Sequence, residues 1–181
     1  ISLRSGQLIL NHIDKNKYKP FEVHILKEGW YCLIDQQKYP INKADFTFTK
    51  DNQTIKFDVA VNTIHGTPGE DGLMQAYFEL LEIPQSSCDY YQAALTFNKR
   101  DLLSVLKPYG INTATSYYLN KGEHIDADEI VKKVGLPCFV KPNKSGSSFG
   151  ISKVKTVAEL PIAIEVAYKE DNEIIIESFL D

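Results

Sequence analysis

Three observations on the sequence predict an α/β fold. Apolar residues recur by turns at helical and at strand spacing along the chain. Extended apolar runs pass into glycine-containing loops that lead into helical segments. The 181 residues, 43% of them hydrophobic, are enough to bury a sizeable core.

Taken in order, "SLRSGQLILNHI" has its apolar residues at helical spacing, and "FEVHIL" and "WYCLI" alternate like half-buried strands. "FDVAVNTI" reads as a buried strand. After it, "LMQAYFELLEI" places Leu73, Tyr77, Leu80 and Leu81 on one helical face, and Pro84 stops the helix. A further helix, 93–106, reaches "KPYG", where Pro108 and Gly110 break the composition near a domain boundary. Residues 1–92 are assigned to an amino-terminal α/β domain and residues 93–181 to a second one. The second opens with a strand in "TATSYYL", a helix in "DADEIVKKVG" with Asp126 as N-cap, and a strand in "CFVKP". Thr156 is expected to cap a helix over "VAELPIAIEVAYKE", whose first turn tolerates Pro161, and "EIIIESFL" is a last strand. The chain starts at Ile1 without a methionine and stops at Asp181 directly after that strand, so both ends read as cut from something longer.

Net charge is −4 with both signs interspersed, so no basic face invites nucleic acid. No apolar run approaches the roughly 20 residues of a membrane span, and the first residues lack the zones of a signal peptide. A soluble, intracellular protein is expected. Cys32, Cys88 and Cys138 lack CxxC spacing and are expected as reduced, buried thiols. His12, His24 and His124 have no second ligand at metal spacing and are assigned structural roles. The tyrosines and phenylalanines read as core and rim.

Three stretches could carry chemistry. In "IHGTPGEDG", residues 64–72, an extended run enters a glycine-rich loop at a helix start, which offers backbone N–H groups and the positive end of a helix dipole to a carboxylate. His65 could donate to such a ligand, while Glu70 and Asp71 are read as partners of backbone donors; a plain structural turn is the alternative. In "VKPNKSGSSFGISKV", residues 140–154, two strand-like halves flank small residues able to approach phosphate oxygens, with Lys141 as a point charge. The alternative is a hairpin without a ligand. In "EIIIESFLD", Glu177 enters a hinge that could meet an adenine edge, or is a solvent-facing acid on a strand.

The order "HGTPGEDG", "FNKRDLL", "LPCFVKPNKSGSSFGISKV", "EIIIESFL" resembles the D-alanine–D-alanine ligases of the ATP-grasp superfamily, over nearly the whole chain. The resemblance implies an open parallel-sheet amino-terminal (pre-ATP-grasp) domain followed by the central α+β ATP-grasp subdomain, without the carboxyl-terminal ATP-grasp subdomain. It implies that Ile1 and His65 bind the first D-alanine, and that Lys99 and Lys141 reach the ATP phosphates. Ser147 and Ser148 would cover those phosphates, Ser147 also acting in catalysis by orienting the first D-alanine. Glu177, Ser178, Phe179 and Leu180 would form the adenine hinge. Magnesium, with manganese as a substitute, would be held by residues beyond this chain. A homodimer in the bacterial cytoplasm is implied for the full-length protein, and ligation of two D-alanines through an acyl phosphate, for peptidoglycan precursors, is its implied reaction. Alternatives are another ATP-grasp ligase such as a D-alanine–D-lactate ligase, or a non-catalytic nucleotide-binding module. Ser87, Cys88 and Asp89 depart from the family's glycine-rich approach to the lysine, and Asn98 stands where it usually has an acid.

Overall fold

The structure, a computed structural model, describes residues 1–180, which divide into two compact units meeting between Tyr90 and Tyr91. The α/β class holds. In the first unit, α1 (Ser2–His12) is followed by an antiparallel meander of β1 (Glu22–Leu26), β2 (Gly29–Ile34) and β3 (Gln37–Pro40), then by the hairpin of β4 (Phe48–Lys50) and β5 (Gln53–Ile55). Period-2 alternation sets the register: Val23 lies opposite Cys32 and Ile25 opposite Trp30, and all four turn inward. They pack on an aromatic core in which Phe46 meets Trp30, Phe57, Tyr77 and Phe78 at ring distances of 5.0–6.3 Å.

Strand direction in this unit corrects the expected parallel sheet. Every described strand here pairs antiparallel, and parallel pairing is confined to one bridge, between Ala60 and Gln85. "FDVAVNTI" is therefore extended chain and not a buried strand. Its backbone is engaged at Ala60, which donates to Pro84 O and accepts from Ser86 N, while Val59 and Val61 stay about half exposed. Helix α2 (Leu73–Leu80) meets the expected face only in part: Tyr77, and Leu81 just after it, pack against the core. Met74, Gln75 and Phe78 point inward, whereas Leu73 and Leu80 are exposed.

The long helix expected over 93–106 is two helices, α3 (Tyr90–Phe97) and α4 (Lys99–Leu106). Asn98 divides them. Its backbone is extended and its Oδ1 accepts from Asp101 N at 3.2 Å, so the residue caps the second helix instead of continuing the first. The second unit then builds a four-stranded antiparallel sheet in the order β6 (Ser116–Asn120), β9 (Glu173–Ser178), β7 (Cys138–Pro142), β8 (Ser152–Val154). Helices α5 (Ala127–Val134) and α6 (Leu160–Ala167) cover one face of it, burying Leu119, Cys138, Val140, Val154, Ile174 and Ile176. Asp126 caps α5 as expected, accepting from Glu129 N at 3.0 Å. Thr156 precedes a short 3₁₀ turn and makes no side-chain cap bond. Cys32 and Cys138 are buried, but Cys88 is exposed, because its loop lies outside both cores.

Candidate functional site

In the first unit the candidates gather around His65. Its backbone N–H donates to Ser2 Oγ at 3.0 Å, its ring Nε2 lies 3.1 Å from Ser5 Oγ, and Nδ1 lies 3.8 Å from Glu70 Oε1. Ser2 and Ser5 sit three apart in the first turn of α1, so both reach the same side, and Ile1 just before them is exposed. Sequence reading missed the two serines. Helical spacing gives that pair a common side, but their approach to a residue some 60 positions away is visible only once the chain is folded.

The loop's backbone is not bare, contrary to the expectation. Gly66 N–H donates to Glu70 Oε2 at 2.7 Å, Gly69 and Glu70 donate to Gly66 O, Leu73 donates to Asp71 Oδ1, and Met74 donates to Pro68 O. The acids serve backbone donors, as read from the sequence, and in doing so they take the groups that a carboxylate ligand was expected to use. Gly69 is required for close approach: a Cβ there would lie 2.4 Å from Ile64 Cβ. What remains for a small ligand is the half-exposed imidazole edge beside Ser5.

In the second unit the candidates share the sheet face opposite α5 and α6. Tyr118, Phe139, Lys141, Lys153, Ile175 and Glu177 alternate with the core residues and so point to that side. Lys141 Nζ lies 2.5 Å from Glu177 Oε2, with the two side chains 27% and 13% exposed. Lys99, the first residue of α4, turns its ammonium to the carbonyls of Asn143 (3.1 Å) and Ser145 (2.9 Å) at the base of the hairpin loop. Burial, and then the charge of Lys141, lower the pKa of Lys99, while Glu177 opposes the shift. Glu177 is therefore the counter-charge to two lysines.

Ser147 and Ser148 are exposed at the loop tip, both in the left-handed region at φ 51° and 59°. The hinge needs a correction. Ser178 N–H donates to Thr115 O, its hydroxyl accepts from Thr115 N, and Phe179 N–H donates to Pro137 O, so these groups are consumed by the sheet and do not face an adenine edge. Phe179 offers its ring instead, stacked on Phe139 at 6.1 Å with Lys153 Nζ 4.0 Å above it. Leu180 beyond it is exposed. Phe139, Lys153 and Asn143 escaped the sequence reading; strand alternation around "CFVKP" would have put Phe139 on the side of Lys141.

Among the described residues no group of three or more His, Cys, Asp or Glu side chains could hold a metal ion, and no helix is long and apolar enough to cross a membrane. A cavity of about 400 Å³ in the first unit, lined by Asn42, Asp45, Thr47 and neighbours, contains none of the candidates. Its polar groups bond to one another, as in Asp45 Oδ1 accepting from Thr47 Oγ1 at 2.8 Å.

Two family models match the chain: "D-ala D-ala ligase N-terminus" over residues 1–88 and "D-ala D-ala ligase C-terminus" over residues 105–181. The D-alanine--D-alanine ligase of Flavobacterium johnsoniae is 71% identical across the whole chain, which covers 56% of that protein. Among solved structures, D-alanyl-alanine synthetase A from Vibrio cholerae superposes with a TM-score of 0.84 at 27% identity, over 99% of this chain and 55% of that one. VanG D-Ala:D-Ser ligase from Enterococcus faecalis superposes with a TM-score of 0.78 at 28% identity, over 99% and 58%. The chain spans about half the length of the curated relatives it matches. With both family models on consecutive stretches and this identity along its full extent, the chain belongs to the D-alanine–D-alanine ligase family.

Proposed function

We propose that these residues are the substrate-binding and nucleotide-binding parts of a D-alanine–D-alanine ligase that joins two D-alanines at the expense of ATP. The observation that carries the reading is the gathering of Lys99, Lys141 and Glu177 at the sheet face opposite α5 and α6, beside the loop 145–150. Residues 1–92 would hold the first D-alanine and residues 93–181 the nucleotide.

In this reading the His65 imidazole, oriented by Ser5, donates to the carboxylate of the first D-alanine, and Ile1 supplies apolar contact to its methyl group. Lys99 and Lys141 neutralise phosphate charge as that carboxylate attacks the γ-phosphorus and ADP leaves. The amine of the second D-alanine then attacks the acyl phosphate and releases inorganic phosphate. Ser147 and Ser148, in a conformation that exposes backbone and hydroxyl donors, cover the transferring group, and Ser147 helps to orient the first substrate. Phe179 with Phe139 gives the base an apolar wall, with Leu180 at its rim and Glu177 and Ser178 supporting the strand end. Magnesium or manganese would neutralise phosphate charge, but the described residues supply no donor set for it, so no step here runs through the metal. Family likeness supports a homodimer in the bacterial cytoplasm for the full-length protein. A ligase for a different second substrate is the competing reading, favoured by the likeness to the D-Ala:D-Ser enzyme.

Lys141 tests the nucleotide site. In a full-length protein carrying these residues, Lys141→Met should weaken ATP binding, read by calorimetry, roughly 10- to 150-fold, the worth of a charge-assisted contact of about 1.5–3 kcal/mol. It also strands the Glu177 carboxylate, so stability should fall and be partly restored in Lys141→Met/Glu177→Gln. Unchanged ATP affinity in both variants removes Lys141 from the site.

A further inference from the structure

Asn143 is the one buried polar side chain among the described residues of the second unit, 1% exposed, and it is satisfied on every side. Its amide Nδ2 donates to Asn98 Oδ1 at 2.8 Å and to Glu173 Oε2 at 2.9 Å. Its Oδ1 accepts from Arg100 N at 2.9 Å, and its backbone N–H donates to Glu173 O at 2.9 Å. Its backbone carbonyl accepts from Lys99 Nζ. One side chain thus fastens the first turn of α4 to the ends of β7 and β9. Lys99 lies between Asn98 and Arg100, the two residues held by that side chain, so its ammonium is aimed by both neighbours.

A lysine ammonium has three N–H donors. Two of them go to the carbonyls of Asn143 and Ser145, which flank the start of the 145–150 loop, and one is left for an anion. We propose that Asn143 is a positioning residue: it fixes the direction of the Lys99 ammonium and, through it, the base of the phosphate-covering loop. This rests on the reading of Lys99 and that loop as phosphate contacts. Substrate binding and loop order then share one lysine. A merely structural asparagine would hold the helix to the sheet without any bearing on the nucleotide.

The test uses the full-length protein with Asn143→Ser, Lys99→Met and the double variant. Three quantities are read: hydrogen exchange of the amides of residues 145–150 without nucleotide, affinity for magnesium ATP, and Tm. Asn143→Ser is expected to speed loop exchange and to weaken ATP about tenfold, the worth of one charge-assisted hydrogen bond. In the double variant ATP should bind no more weakly than with Lys99→Met alone, because the two act as a unit. Additive losses of ATP affinity, or a lowered Tm with loop exchange and ATP affinity unchanged, overturn the proposal. If Lys99→Met speeds loop exchange but leaves ATP affinity intact, the phosphate reading of Lys99 fails while the clasp on the loop stands. Should Asn143→Ser not fold, the near-isosteric Asn143→Asp keeps the acceptor for Arg100, loses both amide donations, and is judged by the same outcomes.

Discussion

His65 is held at its backbone by Ser2 and at its ring by Ser5, so its imidazole edge is placed before any ligand arrives. A pre-set donor contributes to the affinity of what it touches and of nothing else. His65→Ala in the full-length protein should therefore raise the KM for the first D-alanine at least tenfold while leaving the KM for ATP within about twofold, a split read by steady-state kinetics. Equal effects on both substrates would take His65 out of the amino-acid site. Lys99, Lys141, His65 and Glu177 stand out in the sequence as candidates because local motifs surround them. Asn143 does not, since its burial depends on Asn98 and Glu173, some 30 to 45 positions away, closing over it. The backbone donors of residues 66–74 and of Ser178 and Phe179 were misassigned to ligands for a related reason: a loop or strand end can spend its N–H groups on itself, and sequence does not show when it has done so.

Helix α5 carries its own start signal and follows it, unlike the segment after Thr156. Asp126 caps α5 through Glu129 N, two acids follow in the first turn and two lysines in the last, so the helix dipole is matched at both ends. Asp126→Ala should cost about 1 kcal/mol in denaturant unfolding with ATP affinity unchanged. A larger loss would mean that the cap has a tertiary role as well. Elements defined by a neighbour were read less well. "FDVAVNTI" alternates as a strand must, yet Ala60 alone finds a bridge, and alternation without a pairing partner leaves extended chain. The break between α3 and α4 turns on the single side chain of Asn98, whose bond to Asp101 N outweighs continuous helical periodicity. On the face of α2, Met74 and Phe78 displaced Leu73 and Leu80 because the aromatic core lies on their side.

At the scale of the molecule, the chain accounts for about half of its curated relatives' length, and its described residues offer no cluster of metal ligands. Phosphoryl transfer between ATP and a carboxylate needs that charge neutralised. The 181-residue chain by itself should accordingly release no phosphate from ATP when D-alanine is added, whereas a full-length protein carrying it should; turnover by the chain alone would show that the described residues suffice.

The four-stranded sheet has a last consequence, in the fidelity of its own assembly. Ile174, Ile175 and Ile176 in the central strand are all fully buried and chemically interchangeable, so on their account the strand could slide one place against both neighbours and still bury isoleucine. Glu173 and Glu177 bracket the run four apart, on the same side as Ile175. A slide of one place would turn both carboxylates in beneath α5 and α6, among apolar core residues. The two acids thus spell-check the strand: a chain that mispairs by a single residue is rejected by the charges that bind lysine when it pairs correctly.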